Sequence, residues 1–267
     1  MTNRQRPTIA DLRAMKGKRQ LTMLRVTSME EAEAAEKAGI DIVSITPELI
    51  LNPEYRDVAP TLFSMPGDNY YEIGTADDFV RWSFRMIKAG ADAVYCSASY
   101  ATIKRMADEA IPVIGHVGLI PSRRTWTGGY KAVGKTADSA MQIMEAVRQL
   151  EAAGAFGAEI EVVPVEVAEA ISKRTSLFML SMGAGTGCDA QYLFAEDILG
   201  VNRGHMPRHS KIYRDFAAEY DRLQAERIAA FREYVADVES RAYPEEKHIV
   251  RMDPKELETF LARLETR

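Results

Sequence analysis

A chain of 267 residues with 46% apolar and 27% charged side chains can bury a full core, and its length suits one or two domains. A net charge of −5 argues against a dedicated nucleic-acid or membrane-surface binder. Cys96 and Cys188 lack metal-ligand spacing and read as reduced thiols. The N-terminal stretch has no apolar secretory core, and no apolar run approaches the ~20 residues of a membrane span, so a cytoplasmic protein is expected.

Three stretches repeat one unit: an amphipathic helix, a small-residue stop and a short apolar strand. They are EEAEAAEKAGIDIVSI (30–45), FVRWSFRMIKAGADAVYC (79–96) and MQIMEAVRQLEAAGAFGAEIEVV (141–163). In each, Ala-Gly ends the helix where a left-handed residue is wanted, and a β-branched run follows. Strands alternating with helices predict βαβ units and a parallel sheet. Strands are predicted at 20–25, 41–46, 60–65, 91–97, 111–117, 156–163, 176–182 and 190–194. Eight such strands favour a (β/α)8 TIM barrel over an open sheet. PELILNPEYRDVAP, between the second and third, is too proline-rich for an ordinary barrel helix and predicts a short or irregular crossover.

The character changes near residue 208, which divides a barrel domain (1–207) from a C-terminal helical extension (208–267). A long charged helix there carries an apolar stripe of Ile212, Phe216, Tyr220, Leu223, Ile228 and Phe231. A last helix opens with Asp253 as N-cap and Pro254 at its first position. The stripe suits packing on the barrel's own flank or on a neighbouring subunit.

A parallel barrel keeps its site at the C-terminal ends of its strands. Glu161 stands out there, a carboxylate inside the apolar run IEVV, which must be paired, solvated or protonated with a raised pKa. Such acids at strand ends make general bases. Glu159, two residues earlier, shares its face. His116 is the one histidine on a predicted strand. TGGYKAVGKT (127–136) reads as a loop able to close over a site or as an ordinary glycine turn. MGAGTGCDAQ, glycine-rich after the seventh strand, lacks a P-loop ending and fits phosphate binding or simple close backbone approach.

Several motifs together carry a family resemblance: TIADLRAMKGKRQLTML, EAIPVIGHVGLIP, GGYKAVGKT, EIEVVPVEVAEAIS, GAGTGCDAQYLFAEDILG, MPRHSKIY and YPEEKH. From about Thr8 to His248 the chain resembles ketopantoate hydroxymethyltransferases, of the phosphoenolpyruvate mutase/isocitrate lyase superfamily of barrels. The resemblance implies a cytosolic homo-oligomer, often a decamer, that moves a one-carbon unit from 5,10-methylenetetrahydrofolate onto a branched 2-oxo acid. It implies a magnesium ion holding the keto-acid and a glutamate that removes a proton beside the carbonyl. That glutamate falls on Glu161, and the family's site histidine falls on His116.

The chain departs from the pattern where the family holds its metal. Thr46-Pro47-Glu48 replaces Gly-Asp-Ser, Ser64 stands for an aspartate, Tyr95 for a lysine and Ser97 for a glutamate. Magnesium wants hard, charged oxygens, which proline lacks and serine supplies poorly; the expectation is therefore a lost magnesium site, with Glu48 the one nearby acid. The predicted substrate-binding set is Glu48, Ser64, Tyr95, Ser97 and Arg123, with Glu161 and His116 catalytic. The leading function is one-carbon transfer to a small 2-oxo acid. A metal-independent carbon–carbon lyase and a non-catalytic binding paralogue are the alternatives.

Overall fold

The computed structural model describes residues 4–67 and 73–265. In chain order, α1 (Ile9–Met15) precedes β1 (Leu21–Val26), and α2 (Met29–Ala38) leads to β2 (Ile42–Ile45). Two short helices, α3 (Pro47–Leu51) and α4 (Tyr55–Val58), make the irregular crossover to β3 (Phe63–Pro66). Then come α5 (Ala76–Lys88), β4 (Val94–Tyr95), α6 (Tyr100–Asp108) and β5 (Val113–Gly118). The short α7 (Arg124–Thr127), α8 (Ala137–Ala152), β6 (Gly157–Glu161) and α9 (Val165–Ser172) follow. β7 (Phe178–Met182), β8 (Ala190–Phe194) and α10 (Ala195–Leu199) complete the first compact unit, Met1–Arg214. A second unit, Asp215–Arg267, carries α11 (Phe216–Ser240) and α12 (Pro254–Glu265).

The helices begin where the sequence supplies a cap. Thr75 and Asp78 form a reciprocal capping box on α5, as do Thr136 and Ser139 on α8, satisfying amides that the first turn leaves without partners. At the far end of α2, Gly39 takes the left-handed conformation (φ 81°) that ends a helix without steric cost.

All eight strands are parallel, in the order β3-β2-β1-β8-β7-β6-β5-β4. The curled sheet is nearly closed into a (β/α)8 barrel by a seam between β3 and β4. There Gly67 bridges Tyr95, and Asp92 N–H donates to the Ser64 carbonyl at 3.0 Å. β4 is only two residues long, so side chains reinforce this seam. The Asp92 carboxylate accepts from Ser64 N–H (2.8 Å) and from Arg56 Nη2 (2.8 Å), while Arg56 Nη1 also reaches the carbonyls of Ala59 and Leu62. The Ser64 hydroxyl is held by Tyr55 on α4 (2.7 Å) and by the Leu62 carbonyl (3.1 Å).

Alternation along the strands sorts two cores. Val43, Val94, Val113, Val117 and Ile160 face the helices. Leu21, Met23, Ile42, Phe63, Met65, Ile114, Phe178 and Leu180 plug the barrel interior. Ser64 lies between interior-facing Phe63 and Met65, so its side chain turns to the helical layer rather than to the mouth.

β7 and β8 are joined without a helix. Residues 183–189 instead run pressed against α9, where a Cβ on Gly187 would lie 2.5 Å from that of Glu169. The glycine-rich stretch therefore serves close backbone approach, the second of its two sequence readings. Cys188 beside it is buried, and burial first of all pushes its thiol up to about 12. The predicted long helix starts later than expected. Asp215 caps it by accepting from Ala218 N–H (3.0 Å), so Ile212 precedes it, while Tyr213 N–H donates to the Ile198 carbonyl (2.8 Å). Within the C-terminal unit, Tyr220, Leu223, Ile228 and Phe231 are exposed, and Asp253 caps α12 through Lys255 N–H (2.9 Å).

Two substitutions test the seam. Asp92→Ala removes the carboxylate that joins Arg56 to Ser64 N–H, while Arg56 keeps its carbonyl acceptors, and is expected to cost about 1–3 kcal/mol, read by denaturant unfolding. Ser64→Ala removes the partner of a buried phenol and is expected to cost about 1–3 kcal/mol without changing the affinity for any 2-oxo acid. A raised KM with unchanged stability would instead put Ser64 at the mouth.

Candidate active site

Above the apolar plug, the interior-facing positions turn polar. Interior parity places Arg25 (β1), Ser44 (β2), Tyr95 (β4), His116 (β5), Glu159 and Glu161 (β6) and Tyr192 (β8) around one layer at the C-terminal ends of the strands. Register makes neighbours of His116 and Glu159, and of Gly118 and Glu161. Pairing on a rigid parallel sheet thus brings the imidazole and both carboxylates together.

The contacts are close. His116 Nε2 lies 3.0 Å from Glu161 Oε2 and 3.9 Å from Glu159 Oε1, and all three side chains are buried. On the other edge of the ring, His116 Nδ1 shares a hydrogen bond with the Tyr95 hydroxyl, and the two rings meet edge-on at 5.8 Å. Nε2 nevertheless has no hydrogen-bond partner, because its approach to Glu161 is off-axis.

Burial governs the acid–base character of the group. It pushes Glu161 up to about 8. It pushes Glu159 up to about 6, against the opposing pull of the His116 charge and a Tyr95 hydrogen bond. Burial also lowers His116 and raises Tyr95 and Tyr192, favouring the neutral form of each. One assignment satisfies the Tyr95 side of the ring: His116 Nδ1–H donates to Tyr95, and Tyr95 O–H donates to Glu159. The Nε2 lone pair then points at the carboxylates.

Immediately after Glu161, Val162 sits at φ 50°, a rare conformation for a β-branched residue. It is pinned from both sides, by its N–H donating to the Met182 carbonyl (2.8 Å) and by its carbonyl accepting from Val133 N–H (3.2 Å). Backbone strain of this sort costs about 1–3 kcal/mol and collects at functional sites. It also ties the 127–136 loop to the strand bearing Glu161. An open cavity of about 570 Å³ lies between that loop and α8, with His116, Arg123, Tyr100, Trp126 and Lys135 in its wall.

Of the sequence-predicted residues, Glu161, His116 and Tyr95 come into one contact group. Arg123 shares the cavity wall with His116 of that group and donates through Nη2 to the carbonyls of Ser97 and Ala98 (3.1 and 3.3 Å), which places Ser97 beside it. Two residues are not brought in. Glu48 is exposed on the first turn of α3, and Ser64 is committed to Tyr55. Sequence reasoning did not assign Arg25, Ser44 or Tyr192 to the layer. The signal was the period-two parity of LTMLRV and AQYLF, which puts Arg25 and Tyr192 on the plug's face.

Comparison with known proteins agrees with this architecture. The family model for ketopantoate hydroxymethyltransferase matches residues 60–246. The 3-methyl-2-oxobutanoate hydroxymethyltransferase of Nitrosopumilus maritimus is 33% identical, over 91% of this chain and 92% of its own length. That of Nitratidesulfovibrio vulgaris is 29% identical, over 97% and 90%. Among solved structures, 2,3-dimethylmalate lyase of the PEP mutase/isocitrate lyase superfamily superposes with a TM-score of 0.51 at 15% identity, covering 97% of this chain and 95% of that one, a likeness of fold. A match across most of the chain, on a barrel with a buried acid–imidazole group at its mouth, places this protein in the ketopantoate hydroxymethyltransferase family.

Proposed function

We propose that this protein is a hydroxymethyltransferase-like enzyme that enolises a small 2-oxo acid, with Glu161 as the base. The carrying observation is the buried Glu161 carboxylate, held 3.0 Å from His116 at the barrel mouth in a chain of this family. As a carboxylate, Glu161 takes a proton from the carbon beside the substrate carbonyl. The electron pair moves onto the carbonyl oxygen as an enolate, whose carbon would then bond to the one-carbon unit as that unit's bonds to the carrier's nitrogens break, water supplying the hydroxyl and the free carrier leaving. In this reading that unit comes from 5,10-methylenetetrahydrofolate, as the family resemblance implies.

A base with a pKa near the working pH combines a useful deprotonated fraction with real proton affinity. Neutral His116, fixed by Tyr95, keeps a positive charge away from Glu161 and so preserves that affinity. Arg123 at the rim, which donates through Nη2 to the Ser97 and Ala98 carbonyls, is the cation for the substrate carboxylate. Tyr95 and Ser97 frame the same rim.

The magnesium ion that the family implies takes hard oxygen ligands in octahedral geometry. The residues at the corresponding strand tips do not fit it. Glu48 is exposed, the Ser64 hydroxyl is engaged behind the strand, and Ser97 lies against a guanidinium. The reading therefore carries no step through magnesium.

Proton NMR of 3-methyl-2-oxobutanoate in deuterated buffer tests enolisation directly, without a folate. Wild-type protein is expected to exchange the C3 proton equally well with magnesium and with a magnesium chelator. Glu161→Gln is expected to lower that rate at least about 100-fold, the scale on which a positioned base contributes. Undiminished exchange in the variant would remove Glu161 from the chemistry. Because the base acts deprotonated and burial has raised it to about 8, the rate should climb from pH 6 and level off above 8. The same raised pKa means folding favours the protonated acid, so stability falls as pH rises between the ordinary carboxylate range and 8. Glu161→Gln should accordingly raise the melting temperature most at alkaline pH. A plateau in rate already present at pH 6 would rule out burial as the tuning force.

A further inference from the structure

The proposed mechanism leaves Glu159 and the orphaned His116 Nε2 unexplained. Both are buried, and Nε2 makes no hydrogen bond, which is costly for a buried polar atom. The salt bridges that Glu159 and Glu161 make among the described residues both go to His116. Arg25, the nearest cation acting on Glu159, stacks on the Phe194 ring at 5.4 Å from its centroid and helps only through space. Two carboxyl groups thus converge on an imidazole nitrogen, at 3.0 and 3.9 Å, that makes no hydrogen bond.

We propose that His116 Nε2, Glu159 and Glu161 form a binding site for one divalent transition-metal ion of the zinc class, in a place and with a ligand set distinct from the family's magnesium. One oxygen or nitrogen from each side chain lies within 4.8 Å of the others. Zinc bonds of roughly 2.0–2.2 Å to nitrogen and oxygen require donor–donor separations of about 3.3–3.6 Å in a tetrahedron. The separations of 3.0 and 3.9 Å bracket that value, so small rotations of the glutamates suffice. Three protein ligands with an open fourth position are the arrangement that zinc takes where it keeps a water or a substrate atom.

The support behind the ring is the second argument. A ligating histidine donates its other N–H to an oriented acceptor, which fixes the tautomer. Tyr95 stands on Nδ1 in that position and is itself anchored on the barrel wall by the Gly67 bridge. An imidazole donor also selects: it suits zinc, copper, iron or nickel, whereas magnesium favours oxygen alone. Occupancy takes the Glu161 lone pairs that enolisation needs, and this consequence alone rests on the functional reading above.

Metal-stripped full-length protein titrated with zinc by calorimetry is expected to bind one ion per chain, with magnesium at the same concentrations giving no saturable heat. Cobalt(II) should bind with the visible absorption of a four- or five-coordinate ion. Glu159→Gln should weaken zinc binding at least about 100-fold, beyond what losing a supporting hydrogen bond to a ligand costs. X-ray absorption at the zinc edge of the unmodified protein, which needs no variant to fold, should find one imidazole among oxygen donors. Absence of saturable zinc binding, a sulfur or a second imidazole in the shell, or unaltered affinity in a folded Glu159→Gln variant would overturn the site. Saturating zinc should also abolish C3 exchange, with a chelator restoring it. Exchange that persists in protein shown to hold zinc on these ligands would instead overturn Glu161 as the base while leaving the site in place.

Discussion

Two glutamates on one strand, side by side and out of water, set the terms for the rest of this barrel. In β6, Glu159 and Glu161 share a face, so extended backbone alone brings their charges within reach of each other. Like charges in a poorly solvated place cannot both stay ionised at little cost. They must hold a proton, gain a cation or be neutralised by neighbours. Each feature of the mouth bears on that requirement: the raised acids, the neutral imidazole between them and the phenol behind it. The plug of Leu21, Met23, Phe63, Phe178 and Leu180 closes the barrel beneath the pair and withholds solvent from that side. Such an arrangement is a liability for folding and an asset for proton abstraction.

The scaffold absorbs the liability at a distance. The weakest join of the sheet, between β3 and the two-residue β4, is where Tyr95 must be held. It is secured by Asp92 and Arg56 rather than by a long hydrogen-bonded ladder. On the other side, β5 pairs with β6 over five register positions, so His116 and the glutamates share a rigid foundation. Val162, forced to positive φ directly after Glu161, marks the point where the strand hands over to the loop around the cavity. Strain there is tolerated because hydrogen bonds from two other segments hold the backbone in place.

Much of this was legible in the sequence, for reasons that differ by element. The strands could be read because parallel strands buried on both faces are continuous apolar runs, and the helices because their ends are written locally as Ala-Gly or, at the last one, Asp-Pro. Glu161 stood out because a charge inside such a run must be paired, solvated or protonated, and the structure buries it beside His116. Ser64 and Glu48 were misjudged as site residues by position alone. FSMP does not say which face the serine takes until Phe63 and Met65 are seen to fill the interior. Glu48 stands at a strand tip, but its helix turns it to solvent. Arg25 and Tyr192 went unassigned because the parity of one strand carries little meaning until neighbouring strands fix the register. The strain at Val162 leaves no trace in composition, since nothing in EVVP announces a left-handed valine.

The family resemblance and the structure meet in a redistribution of charge. The tips of β2, β3 and β4, where the resemblance expects acids, carry an exposed glutamate, a hydroxyl turned outward and a serine whose carbonyl binds arginine. The acids of this mouth are instead concentrated on β6, facing β5. An electrophile for the enolate oxygen need not be a metal, because preoriented donors in a water-poor site stabilise developing charge strongly. What the redistribution demands is that the cation-attracting end of the pocket and the proton-abstracting end become the same few atoms. A base that shares its lone pairs with a competent metal site cannot serve both roles at once. On the proposed reading, the affinity of that site for divalent ions would determine how often Glu161 is available for chemistry.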